Sequence, residues 1–260
     1  MAKAAPALTR HFLPIVATTA SLRSLKASEG VARDIVDDIV TQGLEEGDGL
    51  PPEAAMLGQY GVSRETLREG LRLLEVQGLI SIRRGPGGGP IVGAVDPANL
   101  GRTSTLYYHL AGATYHELFE AWIVSECMIA ELAAGNPDRA AVRAVLEPYR
   151  RIPAAVEETL DDFVVRHAQF HSDVASLARN RVLQLSLMVV GQIITHHVAV
   201  NADPRKAREP IEHDHIEIAE AIVAGRRRRA RETMAAHIRA ITDFYRTELG
   251  PQMSDIIEWH

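Results

Sequence analysis

Four histidines are spaced so that their side chains can hold one divalent metal ion. His167 and His171 are four residues apart within the apolar series Phe163, Phe170, Val174 and Leu177, which puts both imidazoles on one helix face about a turn apart. His215 takes a slot in the stripe Ile211, Ile218, Ile222, and His237 one in the stripe Met234, Ile241, Phe244. His215 lies ten residues before Gly225 and His237 twelve after it. An antiparallel helix pair turning at Gly225 brings the two side by side, each roughly 15 to 18 Å from the turn at about 1.5 Å per residue. Burying four imidazoles together is unfavourable unless each has a partner, and a divalent ion bound by neutral ring nitrogens is a partner for all four. His213, two residues from His215, points to the opposite side of its helix and is left out. The adjacent His196 and His197 cannot share a face and are read as structural or rim residues.

A second group of side chains suits a polyanion. Leu67, Leu71 and Leu74 form an apolar stripe, and Arg64, Arg68 and Arg72 form a row roughly a quarter-turn away at about 100° per residue. Ser63 stands where a hydroxyl can cap the helix that carries both. The planar arginine fork fits phosphate oxygens and the O6/N7 edge of guanine, so a helix led by Arg64 and Arg68 can read a major groove from its first turn. Taken alone, the same row is also consistent with a solvated arginine face.

The elements that must position these residues fall into two domains. From Ser28, Val31, Ile35 and Ile39 share one face of a first helix that ends at Gly43; Pro52-Glu53 opens a second helix to about Tyr60, where Gly61 breaks it. The arginine helix runs on to Gly78. Residues 79 to 84 read as a strand by alternation, Gly85 to Gly89 as a tight tip, and Pro90 to Val92 as the returning strand. Three helices and a β-hairpin over residues 28–95 make a winged helix-turn-helix. The glycine-rich tip lacks the lysine-serine ending of a P-loop and joins strands, which excludes a nucleotide loop.

Residues 96–99 read as a linker, and no strand signal follows. Helices are expected near 100–111, 115–135, 138–150, 161–179, 181–200, 209–224 and 226–248, separated by Gly112, Asn136-Pro137, Ile152-Pro153, Asn180, Pro204 with Pro210, and Gly225. The fold class is therefore mainly α, with an antiparallel bundle of about seven helices over 100–250, a flexible arm at 1–27 and a tail at 251–260. Arg226 to Arg229 read as a solvated helix end.

Composition sets bounds on partners. The 260 residues are 46% hydrophobic and 24% charged, enough for two domains with cores of their own. Cys127 is the single cysteine, so no intrachain disulfide forms, and no apolar run approaches the roughly 20 residues of a membrane span. A reducing cytoplasm and no membrane partner fit best. A formal net charge of -6 is not that of a non-specific nucleic-acid binder, so DNA contacts must come from where the basic groups sit.

The residues 50–53, Leu-Pro-Pro-Glu, the run Gly61 to Glu69, the Gly78-Leu79-Ile80 exit and the glycine wing resemble the winged-helix reader of the GntR family of bacterial transcription regulators. That resemblance implies a homodimer on pseudo-palindromic double-stranded operator DNA. It places Ser63, Arg64, Glu65, Thr66 and Arg68 at phosphates and base edges, and Arg84-Gly85 of the wing in or near the minor groove. Ala54 stands where many members carry an arginine. Gly70 replaces the alanine of the family's Arg-Glu-Ala-Leu series, with a loss of helix propensity of up to about 1 kcal/mol.

The bundle resembles the FCD effector domain of the FadR subfamily, through His167 to His171, Ala178-Arg179-Asn180 and the run from His215 through Gly225 to His237. The resemblance implies a divalent metal at the floor of a small-molecule effector cavity, held by His167, His171, His215 and His237. His167 stands where an aspartate is usual; the neutral ligand set then favours zinc or nickel over manganese. Trp122, Glu126 and Asn180 are the candidate effector-pocket residues. Trp122 replaces an arginine that often helps hold a carboxylate, which opens the expectation to more apolar effectors.

Three functions follow from these features. The leading one is a metal-containing, effector-responsive regulator, a repressor rather than an enzyme. A metal-dependent hydrolase fused to a DNA-binding arm is a second, since histidine-bound metal with an open position activates water, although spacing sets no acid or base beside the cluster except Asp173 and Glu212 nearby in sequence. A direct metal sensor without an organic effector is the third.

Overall fold

The computed structural model describes residues 26–85, 88–151, 158–199 and 203–259, and these form two compact units that divide between Leu100 and Gly101. The arm at residues 1–25, the Ile152-Pro153 break and part of the wing tip lie outside the described residues.

The first unit contains α1 (Ala27–Gln42), α2 (Glu53–Tyr60), α3 (Arg64–Val76) and the antiparallel strands β1 (Ile80–Arg83) and β2 (Gly89–Val92). Both α1 and α2 stop at a glycine in the left-handed conformation, Gly43 and Gly61, each with φ 64°. Ser63 caps α3 as its sequence predicts, its Oγ accepting from the Thr66 N–H at 3.2 Å. Val31, Ile35, Met56, Leu67, Leu74 and Ile80 form the core. Gly70 belongs to that core: a Cβ there would lie 3.0 Å from the Ser28 carbonyl oxygen and 3.1 Å from Val31 Cγ1. The glycine that weakens α3 locally thus lets α1 approach it closely.

Alternation in the wing holds only in part. Ile80 is buried, but Ile82 on the same strand is 42% exposed and lines an open groove with Leu71, Glu75 and Val76 of α3. In the register, Ile80 stands opposite Val92 and Arg83 opposite Gly89.

The expected linker at 96–99 is mostly helix. The first bundle helix, α4 (Pro97–Ala111), begins with proline at its first position, and Asp96 Oδ1 accepts from the Ala98 N–H at 2.8 Å. Asp-Pro-Ala-Asn is a helix start whose composition is also that of a loop. After it come α5 (Tyr115–Ala134), α6 (Arg139–Leu146), α7 (Leu160–Leu177), α8 (Arg181–Ile194), α9 (Arg208–Val223) and α10 (Arg227–Leu249). Seven α-helices therefore follow the wing among the described residues, as expected. Pro210, expected as a separator, sits instead in the first turn of α9, where backbone N–H groups have no intrahelical partner to lose.

The bundle is built around α5, which packs on α7, α8, α9 and α10. Phe119, Ile129, Phe163, Phe170, Ile218, Ile222 and Met234 are fully buried there. Residues after α10 are more than the expected tail. A 3-10 turn at Gly250–Ser254 buries Met253, Ile257 is 1% exposed, and the Ile257 N–H donates to the Ala113 carbonyl at 2.9 Å. The apolar residues of this short stretch close one end of the core. No helix among the described residues is long and apolar enough to cross a membrane.

Candidate metal centre and nucleic-acid interface

The bundle brings together all four predicted histidines. His167 and His171 come from α7, His215 from α9 and His237 from α10, and one ligand atom from each lies within 4.8 Å of the others. Spacing explains the convergence: the i, i+4 pair on α7 shares a face, and the turn at Gly225 sets His215 and His237 level, with ring centroids 4.8 Å apart. His171, His215 and His237 are buried, and Phe170 stacks on His215 with centroids 3.8 Å apart.

Each histidine keeps a buried ring nitrogen without a hydrogen-bond partner: Nδ1 of His167, both nitrogens of His171, and Nε2 of His215 and of His237. Buried polar atoms are rarely orphaned, and four converging imidazoles with free lone pairs fit a divalent ion of borderline softness. Burial first, and the neighbouring imidazoles second, hold His167 and His215 well below the ordinary histidine range. Burial also lowers His237, against the opposing effect of Asp214. His167, His215 and His237 therefore favour the neutral form, the state a metal ligand requires.

Carboxylates stand behind two of the rings. His237 Nδ1 lies 3.2 Å from Asp214 Oδ2. Glu126 Oε1 lies 2.8 Å from His171 Nδ1, an ion-pair distance off the line of an ideal ring N–H bond, and accepts from Trp122 Nε1 at 3.1 Å. Of the three residues expected in an effector pocket, Trp122 and Glu126 do adjoin the cluster. Asn180 does not: it is exposed and caps α8, its Oδ1 accepting from the Leu183 N–H at 3.1 Å. Asp173 and Glu212 also point elsewhere, Asp173 to the Tyr149 hydroxyl and Glu212 to Arg166 and Arg208. Asp214 was missed because it precedes His215 in sequence yet serves His237 on another helix, a pairing that only the helix packing reveals. His213 is exposed and pairs with Glu217, outside the cluster.

On the first unit, Ser63, Arg64, Glu65 and Arg68 are exposed along the first turns of α3, with Thr66 partly buried against Ser63. Arg72 is exposed one turn further on, and Arg83, Arg84 and Gly85 are exposed on the wing. Arg68 makes a two-pronged bond to Glu53, Nε to Oε1 at 2.9 Å and Nη2 to Oε2 at 3.2 Å, and Arg64 Nε lies 3.7 Å from the same carboxylate. Sequence spacing gave no sign of this contact, since Glu53 belongs to α2. The arginines that open α10 are exposed, and Arg227, Arg228 and Arg229 lie at ion-pair distance from Glu131, Glu232 and Glu217, in keeping with a solvated helix end.

Known proteins share the two-part organisation of the chain. Residues 27–88 match the family described as bacterial regulatory proteins, gntR family, and residues 117–240 match the FCD domain. The chain is 24% identical over 226 residues to the Glc operon transcriptional activator of Escherichia coli (strain K12), covering 82% of this chain and 85% of that one. It is 24% identical over 242 residues to the HTH-type transcriptional repressor NanR of Edwardsiella tarda, covering 88% and 89%. Among solved structures, Streptococcus agalactiae GntR superposes with a TM-score of 0.64 at 23% identity, over 83% of this chain and 99% of that one, and so shares the fold. With both of its units matched, the chain belongs to the GntR family of bacterial transcription regulators, carries an FCD effector domain, and is a regulator rather than an enzyme.

Proposed function

We propose that this regulator binds a pseudo-palindromic operator as a homodimer, holds one divalent metal ion, zinc or nickel, on His167, His171, His215 and His237, and releases DNA when a small-molecule effector joins that ion. The observation that carries the reading is the set of orphaned imidazole nitrogens converging from three helices. A bound ion would supply a Lewis-acidic position for an oxygen or nitrogen donor of the effector, and Trp122, whose ring adjoins His171, would contribute to the apolar surroundings. Ser63, Arg64, Glu65, Thr66 and Arg68 meet the major groove and Arg84-Gly85 the minor groove or backbone. The named relatives include an activator and a repressor. We assign repression to this chain, and a reporter downstream of its operator reads the sign directly.

Elemental analysis of protein purified without chelator tests the metal: about one zinc or nickel per chain is expected, and its loss in His215→Ala or His237→Ala. Wild-type protein that neither carries nor takes up zinc or nickel overturns this part. A gel-shift titration tests the DNA face. Arg64→Ala and Arg68→Ala should each weaken operator binding by about 1–3 kcal/mol, while Arg84→Ala should lower affinity with less change in base preference. Unchanged operator affinity in the two α3 variants contradicts the assignment.

A further inference from the structure

We propose that Glu126, oriented by Trp122, is the anionic partner of the metal centre: it fixes His171 as an Nε2 ligand and supplies the negative charge that four neutral imidazoles lack. The inference rests on the metal-binding reading above and assigns this chain's own residues a role in it. Glu126 is 0% exposed, and among the described residues no arginine or lysine lies at ion-pair distance from it. Its Oε1 accepts from Trp122 Nε1 and faces His171 Nδ1, while its Oε2 is buried with no partner at all. A carboxylate in this position is unfavourable unless positive charge reaches it. The nearest route for such charge is through the imidazole of His171.

The geometry assigns the two nitrogens of that ring. Nδ1 lies 2.8 Å from Glu126 Oε1, off the hydrogen-bond line but within reach of a small ring rotation, which leaves Nε2, also without a partner, for the ion. A carboxylate behind a ligating histidine fixes the ring's tautomer and orientation and raises its basicity as a ligand. Trp122 and Glu126 are four residues apart on α5, so the indole N–H reaches along the helix face and turns the carboxylate towards His171. Asp214 stands behind His237 in a similar way, but its side chain is 35% exposed and is stabilised by water whether or not an ion is bound. Glu126 is fully buried and has no such contact with water, so His171 and the ion behind it are the positive partners within its reach.

The test compares full-length wild type, Glu126→Gln and Trp122→Phe in zinc affinity, by competition with a chromophoric chelator, and in melting temperature with and without zinc. Glu126→Gln should lower zinc affinity about 10–100-fold, and after chelation it should melt at or above wild type, because a buried charge has been removed. Trp122→Phe should lower zinc affinity less, in the same direction. Zinc affinity within twofold of wild type in Glu126→Gln, or a chelated variant that melts well below chelated wild type with affinity retained, makes Glu126 an ordinary core residue and overturns the proposal. Nitrogen-15 spectra of zinc-loaded wild type check the tautomer independently of any variant's folding. His171 bound through Nε2 with Nδ1 protonated supports the proposal, and binding through Nδ1 overturns it. Failure of wild type to bind zinc or nickel sinks the metal reading itself, whereas equal binding by wild type and Glu126→Gln sinks this inference alone.

Discussion

At the scale of single residues, the histidine cluster was legible because each histidine occupies a slot that a leucine or isoleucine would otherwise fill. An imidazole in an apolar stripe must be buried, and two stripes meeting at a glycine turn fix which imidazoles meet. The carboxylates behind them were not legible in that role, since Glu126 and Asp214 reach histidines on other helices. Burial has a consequence for pH. His167, His215 and His237 are all held below the ordinary histidine value of 6.5, so the folded chain prefers them neutral. As pH falls below about 6.5 the unfolded chain takes up protons first, and the stabilisation from these groups declines from there towards lower pH. A metal competing for the same nitrogens is lost over the same window. The melting temperature of zinc-loaded protein should therefore be level from about pH 8 to 7 and fall below about 6.5, with a shallower fall in His237→Ala. A melting temperature that stays level down to pH 5 contradicts a site of neutral imidazoles.

At the scale of elements, α1, α2 and α3 could be placed from sequence because their boundaries rest on local chemistry: the Ser63 cap, Pro52 before Glu53, and the left-handed glycines at 43 and 61. Sequence reasoning went astray at Pro97, where a helix start has the composition of a loop, and after Leu249, where the order depends on what packs behind the segment. Gly70 shows the same limit. Helix propensity alone counts it as a loss, but its burial against Ser28 and Val31 makes it a packing residue. Gly70→Ala gains up to about 1 kcal/mol in propensity and loses about 1–3 kcal/mol by forcing α1 from α3, so a net fall in the melting temperature of the winged helix is expected. A rise in a thermal melt would show that α1 can shift without loss. For the closing segment, Ile257→Ala removes a fully buried side chain and should destabilise the bundle by about 2–5 kcal/mol in denaturant unfolding. A change below about 0.5 kcal/mol, the range of surface substitutions, would return residues 251–260 to a passive tail.

At the scale of the whole molecule, the chain divides its two tasks between units with separate cores. One core is centred on Ile35, Met56 and Leu67, the other on Phe119, Phe170 and Ile218. A net charge of -6 is compatible with operator binding because Arg64, Arg68, Arg72, Arg83 and Arg84 are gathered on α3 and the wing, where a local field acts on DNA. The four clustered histidines belong to the other unit alone and join α7, α9 and α10. An ion that binds the folded bundle and not the unfolded chain stabilises it by RT ln(1 + [L]/Kd), about 2.7 kcal/mol at a hundredfold excess over Kd. For a domain of this size that is a shift of roughly 5–10 °C, at about 2–4 °C per kcal/mol. Stripping the metal with a chelator should therefore lower the calorimetric transition of the bundle by that amount and leave the winged-helix transition in place, and adding back zinc should restore it. If both transitions moved together, the ion would be acting on more than the bundle; if neither moved, the four imidazoles would not be holding the three helices through a metal.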